Sequence, residues 1–252
     1  MNGRRVLILG GTAEARSLAT LLDAAGVDAV SSLAGRVKNP ALPVGQVRVG
    51  GFGGVDGLVS WLRTNECTAI VDATHPFARV ISANAAQAAE ALELPMLTLR
   101  RAEWQARPGD AWIEVDDMLG AARAVSEMAA VRDDLRVFLT TGRQDVDVFK
   151  AIVDAWFLIR LVDPPEREGP RHSTVIRSRG PYRLEGELAL MHEHCIDVIV
   201  TKNSGGQLVS AKLDAARVLS LPVIMVRRPS TPGGPRVHTA AEAAHWVAGL
   251  AE

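Results

Sequence analysis

The feature that most constrains this chain is a series of short apolar runs, most of them with no polar alternation inside. They are Arg5–Leu9, Asp28–Leu33, Gln46–Val49, Ala69–Asp72 and Met96–Leu99, then Arg136–Thr140, Trp156–Leu161, Asp197–Thr201 and Val223–Val226. Strands of this kind are covered on both faces, which requires a parallel sheet between two layers of helices. Helical patterns separate the runs: Ala15, Leu18, Ala19 and Leu22, then Val55, Leu58, Val59 and Leu62, follow the i, i+3, i+4, i+7 spacing of one buried face. The fold class is α/β.

An internal echo divides the chain. "RVLILGGTAE" at Arg5 is answered by "RVFLTTGRQD" at Arg136, "AIVDATHP" at Ala69 by "VIVTKNSG" at Val198, and "LPMLTLRR" at Leu94 by "LPVIMVRR" at Leu221. The three separations drift only from 131 to 129 to 127 residues and keep one order, which implies two similar α/β halves. The expected division is 1–112 and 113–252, near the polar stretch "RRAEWQARPGD", with the ownership of the Trp112–Val115 strand open and terminal strands free to be exchanged.

Of the 252 residues 48% are hydrophobic, enough for a substantial core, and the net charge of −1 argues against a general nucleic-acid binder. Two cysteines, Cys67 and Cys195, supply neither a disulfide framework nor a four-ligand zinc pattern. His192 and His194, two apart in "MHEHC", would leave a helix on different sides, so no metal is expected. No secretory h-region and no apolar run of about 18 residues is present, and the expectation is a soluble cytoplasmic protein, monomeric by default, without membrane contact.

In open parallel sheets ligands bind beyond the carboxyl ends of the strands. The first such loop, "GGTAEAR", offers Gly10 and Gly11 for close approach of backbone N–H groups to an anion, at the positive end of the next helix. The third glycine of a dinucleotide turn is missing, and a purely structural βα turn is the alternative. The second strand ends Ser31, Ser32, Leu33, Ala34, Gly35, Arg36, with no acid to grip ribose hydroxyls. Ser32 and Arg36 suit a 2′-phosphate, which favours NADPH over NADH. "GGFGG" (Gly50–Gly54) implies unusual backbone angles or close approach of something flat, with Gly51 and Gly53 as cofactor candidates. In "DATHPFAR", Thr74 and His75 follow a buried strand end, and Pro76 is placed to start the next helix at its first position. His75 can orient an anion or move a proton, and a structural histidine is the competing reading.

The second half carries Arg143, Lys202, Asn203 and Ser204 at its own strand ends. Cations there favour a substrate with several carboxylates; structural salt bridges are the alternative. "VDPPEREGPRHS" is a long charged loop, either functional or merely solvated. No G-x-S-x-G elbow points to a hydrolase triad.

Taken together, "ILGGTAEAR", "SLAGR", "GGFGG", "VDATHPFA", "TTGRQ", "TKNSGG" and "LPVIMVRRP" resemble the precorrin-6A reductase family of cobalamin biosynthesis, essentially end to end. The resemblance implies two Rossmann-like domains with parallel sheets, and cofactor and substrate in the cleft between them. It implies hydride transfer from NADPH to one carbon–carbon double bond of the precorrin-6A macrocycle, giving precorrin-6B. It also implies that Gly10, Gly11, Thr12 and Glu14 lie against the cofactor, with Ser32 and Arg36 at its 2′-phosphate. Thr74, His75 and Pro76 would border the nicotinamide, and Arg143, Lys202 and Ser204 would face the tetrapyrrole carboxylates. A cobalt-precorrin-6A reductase using NADH, and a non-catalytic NADPH sensor, are the alternatives. A sensor would leave the second half's cations unexplained. An S-adenosylmethionine methyltransferase fits less well, for want of an acid after the second strand.

Overall fold

The computed structural model describes residues 4–35 and 41–250. Two compact units divide the chain: Met1–Ala102 with Ser230–Glu252, and Glu103–Pro229. Each is a six-stranded, wholly parallel sheet with helices between its strands, a Rossmann-like arrangement.

In the first unit the chain runs β1 (Arg5–Leu9), α1 (Ala13–Ala24), β2 (Asp28–Leu33), β3 (Gln46–Val49), α2 (Val55–Thr64), β4 (Ala69–Asp72), α3 (Arg79–Ala91) and β5 (Met96–Leu99). The second unit opens with β6 (Ala111–Val115) and α4 (Met118–Ala129), followed by β7 (Leu135–Leu139), β8 (Ala155–Leu161) and β9 (Ser173–Arg177). It continues with α5 (Leu184–Glu193), β10 (Val198–Lys202), α6 (Ala211–Val218) and β11 (Pro222–Val226). The chain then returns to the first unit as β12 (Arg236–Val237) and α7 (Ala240–Ala248).

The strand orders are β3-β2-β1-β4-β5-β12 and β9-β8-β7-β10-β11-β6. They are the same order, and the echoed segments occupy matching places: β1 with β7, β4 with β10, β5 with β11. The sixth strand of each sheet, however, comes from the segment that follows the other unit's fifth. Strand β6 follows β5 in sequence yet pairs with β11, Trp112 opposite Val223, while β12 follows β11 yet pairs with β5. A division at 112/113 therefore differs from the folded one. It would cut β6 in the middle, while the last segment returns to the first unit as an exchanged terminal strand.

That return closes the first core. Ala243 and Val247 of α7 are fully buried with Leu18 and Leu22 of α1, and with Val6 and Ile8 beneath them. A capping box starts α7: the Thr239 side chain accepts from the Glu242 N–H at 3.2 Å, and Glu242 accepts from the Thr239 N–H at 2.9 Å. On the other face of the sheet, Leu58 and Leu62 of α2 and Ala85 and Ala88 of α3 cover Leu7, Leu9 and Ile70. In the second unit, Phe138 and Leu158 lie under Met191 of α5 and Leu213 of α6. A buried, two-pronged Arg160–Glu187 pair ties β8 to α5, with the Arg160 guanidinium 3.8 Å from the Tyr182 ring centre. Among the described residues no helix is long and apolar enough to cross a membrane.

Truncating Val247 removes two methyl groups from a fully covered site. Val247→Ala is expected to lower unfolding stability in urea by about 2 kcal/mol. Val218→Ala, at a position 62% exposed, is expected to change it by less than about 0.5 kcal/mol. Equal effects of the two would contradict the docking of α7 on the first core.

Candidate functional site

The first sheet changes direction between β1 and β4: β2 and β3 are added on one side of β1, β4 and β5 on the other. Loops leaving these two central strands separate there, which makes the place between them the ligand position of such sheets. Parallel pairing sets Leu9 opposite Asp72, so the loops that follow leave side by side.

The loop after β1 is the turn Gly10–Thr12. Gly11 has φ of 111°, in the region that only glycine adopts without strain. The Gly10 N–H donates to the Ser32 carbonyl at 2.9 Å, extending the β1–β2 ladder. Thr12 caps α1. Its hydroxyl accepts from the Ala15 N–H at 3.1 Å and donates to the Ala73 carbonyl at 2.8 Å, joining the two central loops. With Ala15 satisfied in this way, the N–H groups at the very start of α1 point outward at the positive end of the helix. Ala15 is buried, and its β-carbon is only 3.5 Å from where a Gly10 side chain would begin. A methyl group thus fills the place of the missing third glycine. Glu14, in the first turn, pairs with Arg101 at 3.1 Å.

Ser32 is buried at the end of β2. Arg36 lies outside the described residues. A cation that sequence reading did not select stands beside Ser32: Arg48 of β3, in register with it, donates from Nη1 to Ser32 Oγ at 2.9 Å. It also donates to the carbonyls of Gly50 and Gly51 at 2.9 and 3.0 Å. The signal available in sequence was an arginine inside an apolar strand just before "GGFGG", which carries no meaning until the register is known. In that loop Gly50, Gly53 and Gly54 have φ of 123°, 82° and 96°, whereas Gly51 has ordinary angles and open space around it. The tightest approach is one residue turn later. A β-carbon on Gly57 of α2 would lie 1.8 Å from the Phe52 carbonyl oxygen.

The loop after β4 is organised by Asp72, which is 1% exposed. Its Oδ1 accepts from the Thr74 N–H at 3.1 Å and from the Thr74 hydroxyl at 2.6 Å. Its Oδ2 is 3.7 Å from Arg100 Nη2 and has no hydrogen-bond partner. Arg100 is buried as well, which pushes its guanidinium below the ordinary value while Asp72 counters the shift. The same guanidinium donates to Thr231 at 2.9 Å, and the Arg100 backbone N–H donates to the Val237 carbonyl at 2.9 Å, so the returning segment braces this loop. His75 accepts from the Phe77 N–H at Nδ1, 3.3 Å, which places the proton of a neutral ring on Nε2. Pro76 does not begin a helix. It follows His75 in a turn closed by the Ala78 N–H on the His75 carbonyl at 2.7 Å, and α3 starts only at Arg79. Proline is as well suited to the second place of such a turn as to a helix start.

In the second unit, the connection after β7 forms a short 3-10 turn (Val146–Phe149) in place of an α-helix, so it offers no helix N-terminus for a pyrophosphate. Its cations stand beside acids. Arg143 pairs with Glu166 at 2.9 Å, and Lys202 pairs with Asp145. Glu166 belongs to the loop "VDPPEREGPRHS", which two more exposed pairs hold to the β7 connection: Arg167–Asp147 at 2.8 Å and Lys150–Glu168 at 2.6 Å. Arg167 holds the Asp147 carboxyl below its usual range. The Ser204 carbonyl accepts from Arg228 at 3.0 Å, and Asn203 clasps the Trp104 backbone through both ends of its amide. Thr141 Oγ1, deep in the same region, is buried with no hydrogen-bond partner. Of the paired histidines, His194 ends α5 and stacks on Trp156 at 5.8 Å. Among the described residues no group of three His, Cys, Asp or Glu could hold a metal ion.

Comparison with known proteins matches residues 5–248 to the family model "Precorrin-6x reductase CbiJ/CobK". The chain is 53% identical to the precorrin-6A reductase of Rhodococcus erythropolis over 98% of both chains. It is 52% identical, over the same shares, to that of Mycobacterium tuberculosis strain H37Rv. A solved structure, "CobK precorrin-6A reductase", superposes with a TM-score of 0.88 at 40% identity, covering 97% of this chain and 96% of the other.

The Gly57 contact yields a direct test of the glycine loop. Gly57→Ala is expected to lose about 2 kcal/mol in denaturant unfolding, because backbone rather than a flexible side chain must move. Gly51→Ala is expected to stay within about 0.5 kcal/mol of the parent. A tolerated Gly57→Ala would contradict the close packing of Phe52 on α2.

Proposed function

The chain belongs to the precorrin-6x reductase family, and from that premise we propose that it reduces one carbon–carbon double bond of precorrin-6A in cobalamin biosynthesis, with NADPH as the hydride source. The observation that carries this reading is the extent of the similarity, residues 5–248, which takes in the loops of both units.

The residues of the first unit fit a dinucleotide. Gly11 gives the turn its backbone angle, and outward N–H groups at the start of α1 suit a pyrophosphate, where two charges would meet a helix dipole. Ser31 and Ser32, with no acid at the end of β2, favour a phosphorylated ribose over a plain one. The chemistry that such a cofactor supplies is a hydride; what the chain supplies is position. Thr74, locked by Asp72, fixes the backbone that carries His75 and Pro76 beside the nicotinamide. His75, held at Nδ1 by the Phe77 N–H, orients substrate. Arg143, Lys202 and Ser204 take the carboxylate arms of the tetrapyrrole. Arg143 and Lys202 already carry carboxylate partners, so an incoming carboxylate exchanges one ion pair for another. A multivalent carboxylate displaces them at little cost.

The test is anaerobic loss of nicotinamide absorbance with purified protein, cobalt-free precorrin-6A, and NADPH or NADH in parallel. Oxidation of NADPH, at least roughly tenfold faster than of NADH, is expected, the size of one charge-assisted contact. Cofactor binding with no oxidation would sink the reading. In the same assay His75→Ala is expected to slow single-turnover hydride transfer or weaken substrate binding by roughly tenfold or more, as loss of one positioning hydrogen bond. Both unchanged would remove His75 from the site.

A further inference from the structure

We propose that Arg48 reads the 2′-phosphate of the cofactor and thereby sets a preference for NADPH; this rests on the cofactor reading above. In sheets of this order the adenosine ribose lies beyond the end of β2. In this chain that end carries Ser32, and the side chain standing over it comes from the neighbouring strand, where Arg48 is in register with Ser32.

The guanidinium is held rigidly. Nη1 donates to Ser32 Oγ and the Gly50 carbonyl, Nη2 to the Gly51 carbonyl, at 2.9, 2.9 and 3.0 Å. Its carbon lies 3.7 Å from the centre of the Phe52 ring, and Trp61 packs edge-on against that ring at 5.6 Å. These contacts use three of the five N–H groups. The Nε–H and one N–H of Nη2 take no part in them, enough for two oxygens of one phosphate.

The electrostatics point to the same ligand. All three acceptors are neutral, and among the described residues no carboxylate pairs with Arg48. Burial pushes its guanidinium below the ordinary value, with no acid to offset the shift. A half-buried cation fixed among neutral groups is an unfavourable arrangement by itself. A dianionic phosphate corrects it, and a plain ribose diol does not. A guanidinium serves better here than an ammonium, because its planar fork matches phosphate oxygens while its face stacks on Phe52.

A rival role for Arg48 is as a brace for the glycine loop, through its bonds to Gly50 and Gly51. The two roles separate in a ratio. Calorimetric titration of the full chain with adenosine 2′,5′-bisphosphate and with 5′-AMP, and with NADPH and NADH, should be run on the parent, Arg48→Gln and Arg48→Lys. The parent is expected to prefer the 2′-phosphorylated member of each pair. Arg48→Gln is expected to weaken bisphosphate binding by roughly 10- to 100-fold while leaving 5′-AMP within about threefold. Arg48→Lys, which keeps the charge but not the fork, should fall between and guards against a glutamine variant that fails to fold. Equal losses for both nucleotides would overturn the proposal in favour of a brace, and a preference retained in both variants would place the phosphate elsewhere. A parent that binds NADPH and NADH equally would instead overturn the cofactor reading itself.

Discussion

The parallel pairing of β1 with β4 is the constraint on which the first unit depends. It sets Leu9 opposite Asp72, so two loops far apart in sequence leave the sheet as neighbours. Thr12 then has the Ala73 carbonyl within reach of the same hydroxyl that caps α1. A shift of one residue would turn every side chain of β4 to the opposite face. Val71, now in the α1 core, would change places with Ile70, and Asp72 would turn away from Arg100. Core packing and loop geometry are therefore specified together.

The exchange of sixth strands explains why neither unit is a continuous stretch of chain. Each sheet has five strands in local order and takes its edge strand from the segment leaving the other unit's fifth. In the first unit this gives a two-residue strand and one helix a large role, because α7 covers α1 and Arg100 is anchored to Thr231 and Val237. The stability of the Asp72–Thr74 loop is thus tied to residues more than a hundred positions further along the chain.

Much of this could be read from sequence, and the limits have a physical pattern. The strands of both sheets stood out because covering on two faces leaves no polar alternation, and the helix faces because Leu18, Leu22, Leu58 and Leu62 recur at helical spacing. Of the four edge strands, Gln46–Val49 and the Trp112–Val115 segment were legible, while β9 and β12 were not. In β9 and β6 three of the five residues are exposed, and β12 is two residues long. Turn glycines announced themselves, but not which of them needed the conformation: Gly11 and Gly53 do, Gly51 does not, and the closest approach is at Gly57, inside a helix. Pro76 could satisfy a helix start or a turn equally well, and the hydrogen bond between Ala78 and His75 decides it. Arg48 was illegible for a different reason: its partner lies on the adjacent strand, and only the register of the two makes it a neighbour of Ser32.

The cations at the strand ends divide into two physical kinds. Arg143, Lys202 and Arg101 each face a carboxylate, so an incoming anion exchanges one partner for another and gains only the difference. Such sites suit a ligand that brings several charges at once, since each exchange is nearly neutral and the sum decides. Arg48 faces carbonyls, a hydroxyl and an aromatic ring. An anion arriving there displaces no competing charge, and the side chain loses little freedom because it is already fixed. A single phosphate can therefore count for much at Arg48, where a single carboxylate counts for little at Arg143. On the proposed function, the same residue type serves discrimination in one place and multivalent capture in the other, by nothing more than the charge of its neighbours.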